Sequence, residues 1–191
     1  MNVADITKLL FFVSIFVWLI PPFKQYKGKY FLFFLILSCI DPINLLFLFI
    51  IKTAYQPQIM LIINYLLLLS LINFILLKKY WPWVILVSIL LLSPTIFKFD
   101  SSKIVIIYIL LNSGIALIIL KSLITSFVTV EKLNLFLTIF LIYQLTVIAK
   151  FSNLILGFAD AVAFFILTSI AQIIFGLFFS VYREDKSGKS I

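Results

Sequence analysis

The sequence predicts an all-α, polytopic membrane protein, a seven-transmembrane-helix bundle, and three observations carry that prediction. Hydrophobic residues make up 64% of the 191 positions, far above the roughly 45–50% of ordinary soluble domains, and the mean hydropathy is +1.27. The apolar residues fall into seven runs, each near the ~20 residues that a helix needs to cross the hydrocarbon core. The lysines stand in the gaps between those runs, at the level of the lipid headgroups. With only short gaps, 22.0 kDa leaves room for one transmembrane helical domain over residues 1–191 and no separate soluble domain.

The expected spans are 4–21, 29–51, 57–77, 81–98, 103–124, 132–149 and 153–181. The first has the least support, because only Leu9 to Ile20 is free of charge before Pro21-Pro22 closes the run; without it the count is six. It lacks a basic n-region and an A-x-A-like cleavage site, so it reads as a retained helix and not as a removable signal peptide. Spans two to four are bounded by Lys29, Lys52, Lys78-Lys79 and Lys98, and spans five to seven by Lys103, Lys121, Lys132, Lys150 and Arg183. Pro57 and Pro82 fall in first turns, where a missing N–H costs least. Tight gaps such as Lys78-Lys79-Tyr80 make sequential helices antiparallel neighbours.

Charge gives the orientation. Lys24, Lys27, Lys29, Lys78, Lys79, Lys121, Lys132, Arg183, Lys186 and Lys189 fall on one side, against Lys8, Lys52, Lys98, Lys103 and Lys150 on the other. The positive-inside rule then puts the N-terminus outside and the C-terminus in the cytoplasm. Trp18, Trp81, Trp83, Tyr26, Tyr30, Tyr80 and Tyr182 fall near the proposed cytoplasmic ends, as an interfacial aromatic belt requires. Fourteen Lys to a single Arg, with abundant Ile, Leu, Phe and Asn, suggests an AT-rich bacterial coding sequence, and hence a multi-pass protein of the cytoplasmic (inner) membrane.

Several function classes are disfavoured. In a soluble protein a net charge of +8 would point to nucleic acid, but here the charge marks span ends, so no nucleic-acid partner is expected. Cys39 lies alone in an apolar run and behaves as a small hydrophobe. Histidine is absent, which removes the commonest general base, metal ligand and haem ligand together. No catalytic residue, metal ligand or cofactor is therefore assigned.

The informative residues are polar groups inside the runs. Asp41 lies about 18 Å from Lys29 at helical rise, near the middle of the bilayer, where a charge costs about 2.5–3.5 kcal/mol on insertion scales. Ser38, Asp41 and Asn44 recur at i, i+3, i+6, beside a carbonyl freed by Pro42. In the last span Asn153, Gly157, Asp160, Phe164, Thr168 and Gln172 make one stripe, and Gly157-x-x-x-Ala161 and Ala159-x-x-x-Ala163 are read as small residues for close helix packing. Measured from the outer ends, Asp41, Asp160, Asn64, Asn112 and Gln144 fall at comparable depth and make a candidate polar core or ligand site together with Asn44. One reading is a pocket whose carboxylates hold a cation, a proton or an amine; the other is a set of satisfied interhelical hydrogen bonds, worth about 0.6 kcal/mol each in measured cases. Two carboxyls in an apolar site suit acid–base work, yet no nucleophile or oxyanion donor accompanies them. Asn112-Ser113-Gly114 reads as a packing contact, or as a break that widens a cavity. The tail Arg183 to Ser190 reads as a solvated anchor, or as a handle for a cytoplasmic partner.

Asp41-Pro42 in the second span, Tyr143-Gln144-Leu145 in the sixth and Tyr182-Arg183-Glu184-Asp185 after the seventh resemble small uncharacterised heptahelical integral membrane proteins of Bacteroidetes-type bacteria. The resemblance covers most of the chain and implies seven helices; it carries over no activity. The topology is also similar to that of SWEET and PQ-loop sugar transporters, but Pro57-Gln58 has no second copy four spans later. Microbial rhodopsins share the helix count, whereas this seventh span has no lysine for a Schiff base.

The reading that results is a non-enzymatic heptahelical protein acting as a sensor or accessory subunit. A transporter of small solutes or ions using the buried Asp residues, and a structural subunit of a larger complex, are the alternatives. The partners expected are membrane lipid and, within the membrane, a protein partner or second copies of the chain.

Overall fold

A computed structural model of the chain describes residues 3–50, 57–72, 78–96 and 100–184, and these are almost entirely helical. In order they form α1 (Val3–Trp18), α2 (Ile20–Lys24), α3 (Phe31–Ile50), α4 (Pro57–Leu71), α5 (Trp81–Ile96), α6 (Ser101–Val130), α7 (Leu135–Leu156) and α8 (Ala161–Val181). Among the described residues four stretches are long and apolar enough to cross a membrane: Asp5–Lys24, Ser102–Val130, Leu135–Leu156 and Ala161–Val181. Shorter apolar helical stretches run from Phe31 to Phe47 and from Ile59 to Leu71. The parts of the expected spans at 51, 73–77 and 97–98, and the tail beyond Glu184, lie outside the described residues.

Helix ends differ from the expected spans where local chemistry outweighs hydropathy. Pro21 and Pro22 do not close the first run; they are buried in the short helix α2, since proline fits a first turn without losing a hydrogen bond. Helix α6 reaches Val130 because Lys121 and the hydroxyls after it are tolerated on its exposed flank. At 30 residues it is about 45 Å long. The Asn112-Ser113-Gly114 segment leaves it unbroken, and a Cβ on Gly114 would make only ordinary contact with Leu68 at 3.5 Å.

The largest correction concerns the last span. Residues 153–181 are not one helix: α7 continues through Leu156, Gly157 caps it at φ 58° and ψ 32°, and Asp160 is the N-cap of α8. Asn153 stabilises this turn, its Oδ1 accepting from the Ala159 N–H at 2.9 Å while its backbone carbonyl accepts from the Gly157 N–H at 2.9 Å. The stripe expected from Asn153 to Gln172 is therefore divided between two helices. Gly157 does not pack closely within the chain, because a Cβ there would meet nothing within 4 Å; its role is the left-handed backbone, which costs an L-residue about 1–2 kcal/mol. Ala161, the supposed packing partner, is exposed at the start of α8.

Most sequential helices lie side by side, with α3 against α4, α4 against α5, α6 against α7 and α7 against α8, but among the described residues α5 is not packed along α6. Helix α4 also packs on α6, and α1 and α2 pack on α8, closing the bundle. That seam is tight at Gly176, where a Cβ would stand 2.7 Å from Val17 Cγ1 and 3.3 Å from the Trp18 ring.

Toward the end of the bundle that holds Lys29 lies an aromatic core of Trp18, Tyr30, Phe33, Phe34, Phe136, Phe140, Tyr143 and Phe179. Its rings meet at centroid distances such as 4.8 Å for Phe33 and Phe140, 4.9 Å for Phe34 and Phe179 and 5.1 Å for Trp18 and Tyr143, within the range where edge and tilted contacts are favourable. Trp18 and Tyr30, expected in an interfacial belt, belong to this core at 6% and 2% exposure. Tyr26, Tyr80, Trp81 and Tyr182 are exposed, and the Trp83 side chain lies outside the description.

Candidate functional site: a charged cavity in the bundle

Above the aromatic core a cavity of about 300 Å³ opens between α1, α3, α4, α6, α7 and α8. Ser14 and Trp18 come from α1; Phe33, Leu37, Ile40 and Asp41 from α3; Met60, Asn64 and Leu67 from α4; Asn112 from α6; Tyr143, Gln144, Val147, Lys150 and Phe151 from α7; and Gln172 from α8. Its volume is at the lower end of the range of small-molecule sites, and an apolar lining with a few convergent polar groups is their usual composition.

The amides form one relay. Asn64 Nδ2 donates to the Met60 carbonyl at 2.8 Å, and Asn112 Nδ2 donates to Asn64 Oδ1 at 3.0 Å and to the Tyr108 carbonyl at 2.8 Å. Gln144 Nε2 in turn donates to Asn112 Oδ1. Three helices are thus joined at one level by side chains buried to 5%, 2% and 1% exposure, and within an apolar bundle each amide is satisfied by another. Asn64, Asn112 and Gln144, which the sequence places at a common depth as an expectation, are hydrogen-bonded to one another.

The carboxylates part company. Asp41 lines the cavity, whereas Asp160 is exposed and its Oδ2 accepts the Ala163 N–H at 2.8 Å, the normal N-cap arrangement. Asp160 is removed from the candidate site. Asn44 lies one turn beyond Asp41 and is half-buried outside the cavity lining. Ser38, on the same stripe, is buried and turns its hydroxyl to the Leu35 carbonyl at 2.9 Å. Cys39 is exposed.

The charge that sequence reasoning missed is Lys150. Taken as an outer boundary, it sits inside α7 with six residues of helix after it, and it lines the same cavity as Asp41. The signal was available: Gly157, read as a helix stop, places Lys150 two turns inside. Asp41 and Lys150 are near enough for their opposite charges to act on each other, but among the described residues they form no ion pair in direct contact. Among the described residues, the pair in direct contact is Lys103 with Asp100 at 3.7 Å, on the surface. Lys150 Nζ lies 5.1 Å from the Phe165 ring centroid, a weakly favourable cation–π position. Trp18, Tyr143 and Gln172 were also absent from the predicted site, the first two because aromatic residues are common in cores. Among the described residues no three His, Cys, Asp or Glu side chains gather as metal ligands would.

At the opposite end a clamp ties the first loop to the last helix. Gln25, 1% exposed, donates from Nε2 to the Phe179 carbonyl at 3.2 Å and the Tyr182 carbonyl at 2.7 Å, and Arg183 donates to the Tyr26 carbonyl at 3.1 Å.

The fold and cavity define an apolar helical bundle of membrane type with a polar interior site. No protein-family model, curated protein or solved structure matches the chain.

Proposed function

We propose that this chain is a non-enzymatic membrane protein that binds a small polar solute within its bundle and passes the occupancy of that cavity to a partner at its lysine-rich end, as a sensor or accessory subunit. It crosses the bacterial inner membrane seven times, α1 with α2 counting as one crossing, with the N-terminus outside and the C-terminus in the cytoplasm. The excess of basic residues on the C-terminal side supports that orientation.

One observation carries the reading: Asp41 and Lys150 line a cavity in the interior of an apolar bundle without neutralising each other by contact. Opposite charges held apart inside an apolar bundle are costly, and they persist most readily where an occupant uses them. The absence of histidine from the chain removes the commonest acid–base catalyst and favours binding over turnover. Trp18 lines the cavity and belongs to the aromatic core that reaches Phe179, one of the two residues whose carbonyls Gln25 holds, so the cavity and the root of the tail share one packed unit.

The test uses the purified protein in nanodiscs, challenged with a panel of amino acids, amines, organic acids and sugars. Thermal stabilisation by a panel member, lost in Asp41→Asn, together with altered hydrogen exchange around Tyr182, is the expected result. Carrier-type flux of that solute in proteoliposomes, abolished by Asp41→Asn, would replace the sensor with a transporter. No stabilisation by any member sinks the reading.

A further inference from the structure

We propose that the cavity selects a zwitterion of about amino-acid size, its cationic group at Asp41 and its anionic group toward Lys150; this rests on the binding reading above. The argument starts from charge balance. A solute bearing one charge would neutralise one wall and leave the other charge buried and unanswered, which is the costly outcome for any ion in a low-dielectric site. A neutral solute would leave both. A solute with both charges satisfies the two walls at once and brings no net charge into the bundle.

Geometry agrees with that sign pattern. Asp41 is on α3 and Lys150 on α7, so the opposite charges come from different helices that border one cavity. Neither group has a hydrogen-bond partner among the described residues, and their separation beyond direct contact leaves room between them. Trp18, Phe33 and Tyr143 also line the space, and aromatic faces favour a cationic group. The amide relay of Asn64, Asn112 and Gln144 supplies polar edges between the charged ends.

The experiment compares three probe classes on the protein in nanodiscs: the twenty amino acids with glycine betaine, simple amines and carboxylates such as propylamine and propionate, and neutral polyols such as glycerol. At least one zwitterion is expected to bind at least about tenfold more tightly than the amine, carboxylate or polyol of similar size, the loss of one charge-assisted contact being worth that or more. Asp41→Asn should lose the zwitterion and retain weak carboxylate binding; Lys150→Gln should lose it and retain weak amine binding. Should Asp41→Asn fail to fold, Lys150→Gln alone reads the same selectivity.

Binding of a polyol or a singly charged probe as tightly as any zwitterion overturns the zwitterion proposal and leaves the binding cavity standing. No binding by any class, with an Asp41→Asn/Lys150→Gln double variant as stable as the parent, overturns both; the two charges then serve only each other.

Discussion

Gln25 and Tyr182 are 157 residues apart in sequence and joined by a 2.7 Å hydrogen bond from the amide of one to the carbonyl of the other. The same amide holds the Phe179 carbonyl. One buried side chain thus satisfies two of the carbonyls that the C-terminus of α8 leaves open, as every helix end requires.

Gln25→Leu keeps the approximate volume and removes both donations. A loss of about 1–3 kcal/mol is expected from the unsatisfied carbonyls, read by SDS-titration unfolding in mixed micelles. Gln25→Glu should cost at least as much, since a carboxylate oxygen cannot donate. An unchanged midpoint in both variants would show that water satisfies these groups instead.

Gly176→Val adds bulk where even a Cβ meets Val17 at 2.7 Å. Overpacking of a close helix pair costs about 1–3 kcal/mol, and Trp18, a wall of the cavity, has to move. The variant should lose stability and solute binding together, by unfolding titration and by thermal shift with the solute; Gly114→Ala, where the contact is ordinary, should alter neither.

The turn between α7 and α8 makes a contrasting pair. Gly157→Ala is expected to cost about 1–2 kcal/mol through backbone strain alone, with no steric clash to relieve. Asp160→Ala should cost about 1 kcal/mol as a lost cap, while Asp160→Asn, another good cap, should be nearly neutral. Solute binding that fell in Asp160→Asn would return this carboxylate to the site.

Asn112 is the centre of the amide relay. Asn112→Leu strands Asn64 Oδ1 and leaves Gln144 Nε2 only the Asn112 backbone carbonyl at 3.4 Å, and about 1–3 kcal/mol should be lost on the unfolding titration. Replacing Asn64, Asn112 and Gln144 all by Leu removes every member of the network, and stability should return close to the parent value, since paired apolar replacement is far less costly than an orphaned partner. A triple variant as unstable as the single one would argue that the cavity needs these amides to keep its shape.

The bundle was largely legible in the sequence because hydropathy and lysine spacing respond to the same bilayer that shapes the helices. Pro57 and Pro82 marked starts, and Asn64, Asn112 and Gln144 were placed at one depth by counting residues from the ends. Two things were not legible. Gly157 was read by its neighbours at i+4 as a packing residue, when its use is conformational, so Lys150 became a boundary and Asp160 a buried acid. Trp18 and Tyr30 were read by their position near span ends, and only the packing of α1 and α3 against α7 and α8 shows that they are core. Both errors come from the same source: hydropathy locates a residue along the membrane normal, whereas burial depends on which neighbours stand around it.

The seam between the first helix and the last has a consequence for biogenesis. The Trp18 wall of the cavity lies beside Gly176 of α8, and Gln25 gains its two carbonyl partners only once residues 179–182 have been made. Until then the nascent chain holds Asp41 and Lys150 in a bundle with one side missing. Helix α8 is the closing stave of the described bundle, so a chain cut before it is expected to insert and yet to lack Gln172 and the packing behind Trp18, and with them the proposed solute binding.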